Sequence, residues 1–234
     1  MSSNKELNEQ LRGELIVSCQ ASPSPFLADP AILAAIAEAV VAGGAGGIRA
    51  DGPENIRAIR KLVKVPVIGI WKRHFPDSEI HITPRLEDVL AVAETEAEVV
   101  ALDATSRPRP DGETLKTIVD EAKARGAPLL MADVSNFEEG LKAVEMGFDL
   151  VATTLSGYVE STTENSYGPD LDLVKRLASY LDGEIPVIAE GRISTPEQAA
   201  KALELGAHAV VVGTAITRPQ VLTEQFCTAI RRAR

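Results

Sequence analysis

Cysteine, histidine and positive charge are all scarce in this chain, and each shortage removes a class of protein. The two cysteines, Cys19 in an apolar run and Cys227 in a helical tail, stand too far apart to suggest a disulfide framework or a metal knuckle. Both are expected as buried thiols in a reducing cytoplasm. The three histidines, His74, His81 and His208, form no ligand spacing, so no metal site is expected. Against 34 Asp and Glu there are 24 Lys and Arg, a net charge of −10, with no block of five or six basic residues. That balance argues against a nucleic-acid partner or an anionic membrane surface, although local groups could still hold a small anion. The first residues lack an apolar signal core, and the longest Ala-rich run, Ala31 to Ile48, carries Glu38 and four glycines. Neither secretion nor a membrane span is expected. No Gly-x-Ser-x-Gly elbow occurs, and the turn after Cys19, Gln-Ala-Ser-Pro-Ser-Pro, is nothing like a dinucleotide-binding glycine turn.

What is present is a repeat. A short apolar, β-branched run, a polar residue, a helix-period segment and a Gly stop follow one another along the whole chain. The runs begin near Glu14, Gly47, Pro66, Glu98, Pro128, Asp149, Pro186 and His208. Between them, Ala31 to Val41, Glu113 to Arg125, Glu138 to Met146 and Pro196 to Leu205 repeat apolar residues at three and four. Ser135 with Glu138, and Thr195 with Pro196 and Gln198, read as capping boxes, while Gly126, Gly147 and Gly206 stand at left-handed C′ positions. Eight units in 234 residues is about 29 each, the size of a βαβ unit. Strands that are continuously apolar are buried on both faces. The expectation is a single (β/α)8 TIM barrel, residues 1–234 as one domain with 1–13 as a polar helical segment at its start.

A barrel of this kind builds its site at the C-terminal ends of its strands. There stand Gln20, Arg49, Lys72, Asp103, Asp133, Thr153 with Thr154, Glu190 and Gly213. Lys72, projecting from the third strand, reads either as a surface lysine beside Arg73 or as a proton carrier. The second needs burial and Arg49 nearby to bring its pKa down from ~10.4. Glu190 ends a very apolar run and needs a cation, which a salt bridge to Arg192 or Lys72 would supply. Asp133 reads either as a site carboxylate or as a cap for the helix after Ser135, and Asp103 as a loop holder. The loops Glu190 to Ser194 and Val212 to Ile216 carry the glycines and free amides of a phosphate cradle, with Arg192 or Arg218 as a charged supplement. Trp71, Phe75 and Tyr158 are candidate sugar-facing aromatics, each equally readable as packing. His208, at a strand start, belongs to the opposite, stabilising face.

These residues sit in motifs that resemble the N-acetylmannosamine-6-phosphate 2-epimerase family across nearly everything from Glu14 to Phe226. The likeness is carried by Ser18-Cys-Gln-Ala21, Gly47-Ile-Arg-Ala50, Lys72-Arg73 with Pro76-Asp-Ser-Glu79 and Ile82-Thr-Pro84, and Leu102-Asp-Ala-Thr105 with Arg107. It continues through Met131-Ala-Asp133, Thr153 to Tyr158, Ala189-Glu-Gly-Arg-Ile193 and Gly213 to Pro219. The resemblance implies a TIM barrel with neither redox cofactor nor essential metal, interconverting N-acetylmannosamine 6-phosphate and N-acetylglucosamine 6-phosphate in sialic acid catabolism. By motif, Lys72 would remove and return the C2 proton, and Glu190 would handle the O1 proton and open the ring. Gln20, Arg49, Asp133 and Arg218 would hold the open-chain sugar beside Tyr158. The amides of Gly191, Arg192, Gly213 and Thr214 would hold its phosphate. The chain departs from the family pattern at His74-Phe75, where Asp-Tyr is usual, and at His81, where a tyrosine is common. Barrels of this kind often pair, so a homodimer is expected.

Two other classes use the same parts. Lys72 could form a Schiff base with a keto sugar phosphate, as in barrel aldolases. A non-catalytic sugar-phosphate sensor would keep the phosphate cradle and need neither Lys72 nor Glu190. A metal-dependent pentose-phosphate epimerase lacks its His and Asp ligand set here.

Overall fold

Each of the eight apolar runs is a strand. The computed structural model describes residues 2–20, 25–165 and 168–233. In it the strands are β1 Leu15–Cys19, β2 Gly47–Asp51, β3 Val67–Ile70, β4 Val99–Asp103, β5 Leu129–Asp133, β6 Leu150–Ala152, β7 Val187–Glu190 and β8 Ala209–Val212. Every strand pairs in parallel with the next, and β8 returns to β1, so the sheet closes as the sequence predicts. Val17 of β1, for example, stands level with Ile48 of β2 and Val212 of β8. Residues 21–24, which include Ala21 of the first motif and most of the turn after Cys19, lie outside the described residues.

The helices are α1 Ser2–Leu11, α2 Pro30–Ala42, α3 Pro53–Arg60, α4 Leu86–Ala93, α5 Leu115–Ala124, α6 Phe137–Met146, α7 Leu171–Leu181, α8 Pro196–Glu204, α9 Thr214–Thr217 and α10 Pro219–Arg232. Gly126, Gly147 and Gly206 do take positive φ after α5, α6 and α8. Thr195 caps α8 by accepting from the Gln198 amide at 3.3 Å, while the Gln198 side chain serves the Ser194 amide instead of closing the box. The other expected box is displaced by one residue. Asn136, not Ser135, caps α6 by accepting from the Glu139 amide, and the Glu139 carboxylate accepts from both the amide and the hydroxyl of Ser135.

Continuous apolarity conceals an alternation, because both faces of the sheet are buried. Val17, Ile48, Ala50, Val67, Val100 and Leu130 point outward into the layer beneath the helices. Ile16, Ile68, Ile70, Val99, Met131, Ile188 and Val211 point inward and fill the barrel together with Leu7 and Leu11 of α1. The polar segment at the start of the chain thus closes the floor. It is fastened there by the Gly13 amide on the His208 carbonyl and by the His208 ring, whose Nε2 meets the Asn8 carbonyl at 2.7 Å. Lys72, Asp103, Asp133, Thr154 and Glu190 share the inward parity, each two residues on from an inward apolar side chain.

At the opposite extreme α10 buries no side chain and leaves Phe226 and Ile230 exposed, so of the two thiols expected to be buried Cys19 is buried and Cys227, on this helix, is exposed. No helix among the described residues is long and apolar enough to cross a membrane.

Where α3 and α4 cross β3, only glycine fits: a Cβ on Gly69 would stand 2.6 Å from Val92 Cγ1 and 3.0 Å from Ile56 Cδ1. Gly69→Ala should therefore destabilise by about 1–3 kcal/mol through overpacking. Urea denaturation checks this, and an unchanged midpoint would show that the α3–α4 seam can relax.

Candidate active site

Inside the barrel mouth one cation organises two anions. Arg49 is the third residue of the five-residue β2, so it lies below the strand end where the sequence placed it and reaches upward. It is 1 % exposed. Its guanidinium grips Asp133 at both oxygens, Nη1 to Oδ1 at 3.0 Å and Nη2 to Oδ2 at 2.5 Å, and donates to Glu190 Oε2 at 2.5 Å. Asp133 also accepts from the Thr154 hydroxyl at 2.6 Å. Glu190 is anchored by its backbone: its amide donates to Thr153 Oγ1, which donates in turn to the Glu190 carbonyl. Two expectations are corrected here. Asp133 does not cap the following helix, because Arg49 occupies it, and the cation that meets Glu190 is Arg49 rather than Arg192 or Lys72. Burial works against the Arg49 charge, but Asp133 and Glu190 more than offset it and hold the guanidinium protonated. Burial raises Glu190, Arg49 opposes, and Asp133 raises it again, leaving its carboxyl at about 7.

Lys72 stands two residues beyond β3. The surface-lysine reading is corrected: its ammonium is drawn inward and donates to Gln20 Oε1 at 2.6 Å, while Gln20 donates to Ser18 Oγ at 2.8 Å. Burial lowers the Lys72 pKa. Asp51 opposes this, Arg49 and Arg218 reinforce it, and Glu190 opposes it.

A cavity of about 380 Å³ opens over these groups, with Gln20, Lys72, Glu190, Tyr158 and Arg218 in its wall. Gly191, Arg192, Gly213 and Thr214 line it as well. Gly191 takes a φ of +116°, and Arg192 follows in the left-handed region at +55°, a sharply turned rim. The Arg192 guanidinium donates to the Gly168 and Ser156 carbonyls and lies over the Tyr158 ring. It also packs so closely on Gly157 that a Cβ there would stand 2.6 Å from Nη1.

Other singled-out residues fall elsewhere. Asp103 accepts from the amide and hydroxyl of Thr105 and from Arg107, so it does hold its own loop. Arg73 lies over the Trp71 ring, and Arg85 and Arg73 lie over Phe75; of the three aromatics only Tyr158 lines the cavity. Among the described residues no group of three or more His, Cys, Asp and Glu is placed to hold a metal ion.

Two residues escaped the sequence reading. Asp51, which ends β2, accepts the Lys72 amide at 2.8 Å. Its signal was parity: it stands two residues after Arg49 on the inward face. Thr83, fully buried at a φ of +46°, accepts the Trp71 amide at 3.1 Å and donates to the Ala101 carbonyl at 2.7 Å. A left-handed β-branched residue is an outlier that a sequence pattern does not announce, and this one clamps the segment carrying Lys72.

Comparison with known proteins bears on the same arrangement. The profile of the family described as "Putative N-acetylmannosamine-6-phosphate epimerase" matches residues 33–232. A protein of Clostridioides difficile strain 630, named "Putative N-acetylmannosamine-6-phosphate 2-epimerase", is 50% identical over 222 residues, 95% of this chain and 98% of its own. A protein of the same name from Caldanaerobacter subterraneus subsp. tengcongensis is 48% identical over 230 residues, covering 98% and 96%. The solved structure of the N-acetylmannosamine-6-phosphate 2-epimerase from Clostridium perfringens superimposes with a TM-score of 0.90 at 46% identity, over 95% of this chain and 96% of that one. Thiamine phosphate pyrophosphorylase from Pyrococcus furiosus, at 18% identity and a TM-score of 0.60 over 90% and 89% of the two chains, shares the fold alone.

Replacing Arg49 by Leu would leave two carboxylates facing each other in a buried site, and one would have to take up a proton. Their folded pKa values would then lie above the unfolded ones, so stability is retained at low pH and lost as pH rises. Arg49→Leu should cost about 3–5 kcal/mol at pH 8 and distinctly less at pH 5. Urea melts at both values measure it, and a deficit independent of pH would mean that the carboxylates are not what Arg49 compensates.

Proposed function

The chain belongs to the N-acetylmannosamine-6-phosphate epimerase family, and from that premise we propose that it interconverts N-acetylmannosamine 6-phosphate and N-acetylglucosamine 6-phosphate in the cytoplasm, within sialic acid catabolism. The observation that carries the proposal is the pairing, in one cavity, of a lysine lowered by burial with a carboxyl raised to about 7. Two groups displaced toward neutrality from opposite sides are what proton transfer on and off carbon needs.

The chemistry sets the order of events. A C2 proton is acidic only when C1 is an open-chain aldehyde, so the ring opens first: Glu190 takes the O1 proton as the C1–O5 bond breaks, and that proton is returned to O5, which leaves as a hydroxyl. Lys72 as the neutral amine then takes the C2 proton, and the electron pair moves onto O1 as an enolate. Arg49 and the new Lys72 ammonium oppose that charge. Return of a proton to the other face of C2 gives the epimer. Gln20, which accepts from the Lys72 ammonium, keeps the amine aimed at the substrate, and Asp133 fixes the guanidinium plane. Tyr158 and Arg218 hold the sugar at the mouth, and Gly191, Arg192, Gly213 and Thr214 hold its phosphate. No metal or cofactor has a part in this scheme.

A homodimer belongs to the same proposal. The exposed Phe226 and Ile230 of α10 and an apolar groove of about 440 Å³, walled by Leu15, Ala199, Leu203, Val210 and Ile216, are surfaces a second copy would cover.

Proton NMR with N-acetylmannosamine 6-phosphate in D₂O and chelator should show product deuterated at C2; no product and no exchange would sink the proposal. Lys72→Ala should abolish turnover while the sugar phosphate still binds, and Glu190→Gln should lose it as well, so substantial activity in either removes that residue from the scheme. Borohydride trapping separates the aldolase alternative, since reduction should attach no sugar to Lys72. Light scattering should give about twice 24.9 kDa, falling toward 24.9 kDa on joint substitution of Phe226 and Ile230 by Lys; a wild-type monomer would contradict the dimer.

A further inference from the structure

Asp51 stands where an acidic residue ordinarily serves a helix, and here it serves Lys72. It closes β2 immediately before α3, whose N-cap position falls on Gly52 and has no side-chain cap at all. The carboxylate turns away from that helix, and its Oδ1 accepts the backbone amide of Lys72 at 2.8 Å. The turn is held in register for this: Asp51 pairs with Ile70 of β3, the Gly52 amide donates to the Ile70 carbonyl at 2.8 Å, and Asn55 Nδ2 donates to the Asp51 carbonyl at 2.7 Å. On its other flank the Lys72 segment is tied by the bridge to Ile82 and by Thr83.

We propose that Asp51 is a positioning residue for the reaction at Lys72, its carboxylate fixing the backbone from which the amine projects and setting, by its charge, how tightly that amine holds a proton. The inference rests on the reading of Lys72 as the proton carrier. Without an anion close by, an amine among guanidinium groups is too weak a base to take a carbon-bound proton. With one, the proton removed from C2 has a holder that keeps it and can still give it back.

The charged groups around the pair are few. Arg49 and Arg218 act on Lys72 to lower its proton affinity, while Asp51 and Glu190 raise it. Asp51 is itself raised by burial and lowered by the Lys72 amide, the Lys72 charge, Arg49 and His74. Glu190 is engaged with Arg49, so Asp51 supplies the anion that is joined to Lys72 itself.

Asp51→Asn separates the two roles, because the amide oxygen can still accept the Lys72 N–H while the charge is gone. The pKa of Lys72, read without substrate by competitive acetic anhydride labelling and peptide mass spectrometry, should fall by about half a unit or more. The acid limb of kcat/KM, where neutral Lys72 is required, should move down by the same interval, and kcat on its alkaline plateau should fall by about two- to threefold as the base weakens, with little change in KM. Asp51→Ala, which loses the hydrogen bond as well, should cost roughly a hundredfold in kcat. A folded Asp51→Asn protein with wild-type labelling and pH profiles would overturn the proposal, leaving Asp51 only a turn residue. The reciprocal Lys72→Met substitution leaves Asp51 in place and should raise its pKa, followed by carboxyl ¹³C NMR; an unmoved Asp51 titration would equally overturn it. Should the wild-type protein fail to epimerise the sugar phosphate, the labelling and NMR arms would still decide the coupling, so the two failures stay distinct.

Discussion

A guanidinium buried between two carboxylates is the constraint on which the upper half of this barrel depends. Taking an arginine out of water is costly, and the cost is met only if its donors are matched by acceptors in fixed places. Arg49 obtains those acceptors from β5 and β7, strands far from its own in the chain, so the closed sheet and the charge cluster require one another. One cation facing two anions leaves a surplus negative charge. It is relieved at Glu190, which is held through one oxygen at the edge of the cavity, while Asp133 is gripped at both oxygens. The proton affinity of Glu190 is thus a consequence of how the strands meet.

The same cluster shapes the surroundings of Lys72. Arg49 works against charge on the lysine while serving as the cation for the carboxylates, and the short contact to Gln20 pins the ammonium without neutralising it. The fold supplies rigid strand ends and the side chains supply opposing fields. An enolate-forming reaction needs both together, since its acid, its base and its charge stabiliser must stay within a few ångströms while their protonation states change.

Much of this was legible in the sequence because strands buried on both faces cannot hide polar residues. Seven of the eight apolar runs ended in a polar residue that had no reason to be there unless something met it, and among these stood Gln20, Lys72, Asp133 and Glu190. Which partner met which was not legible. Arg49 reaches Asp133 and Glu190 across the barrel, and no local spacing encodes a contact over 84 or 141 residues. Local rules misled at Ser135 and Asp133, where a capping pattern was genuine but belonged to Asn136 and Glu139. They left Trp71 and Phe75 open between facing a sugar and packing, and both lie beneath arginines. Asp51 was missed because the run at Gly47 was taken to end at Ala50, although its spacing of two from Arg49 put both on one face of the strand.

The stoppered floor has a further consequence, for hydrogen rather than for carbon. Leu7 and Leu11 of α1 join the inward side chains of the strands in one continuous apolar plug beneath the charged layer. Among the described residues that plug closes the barrel from below, so bulk water reaches Lys72 from the mouth, where the proposed sugar would sit. On the role proposed for Lys72, a proton lifted from carbon mixes with the other two on that nitrogen until the mouth clears. Turnover in such a chamber keeps a short isotopic memory, set by how long the ligand stays.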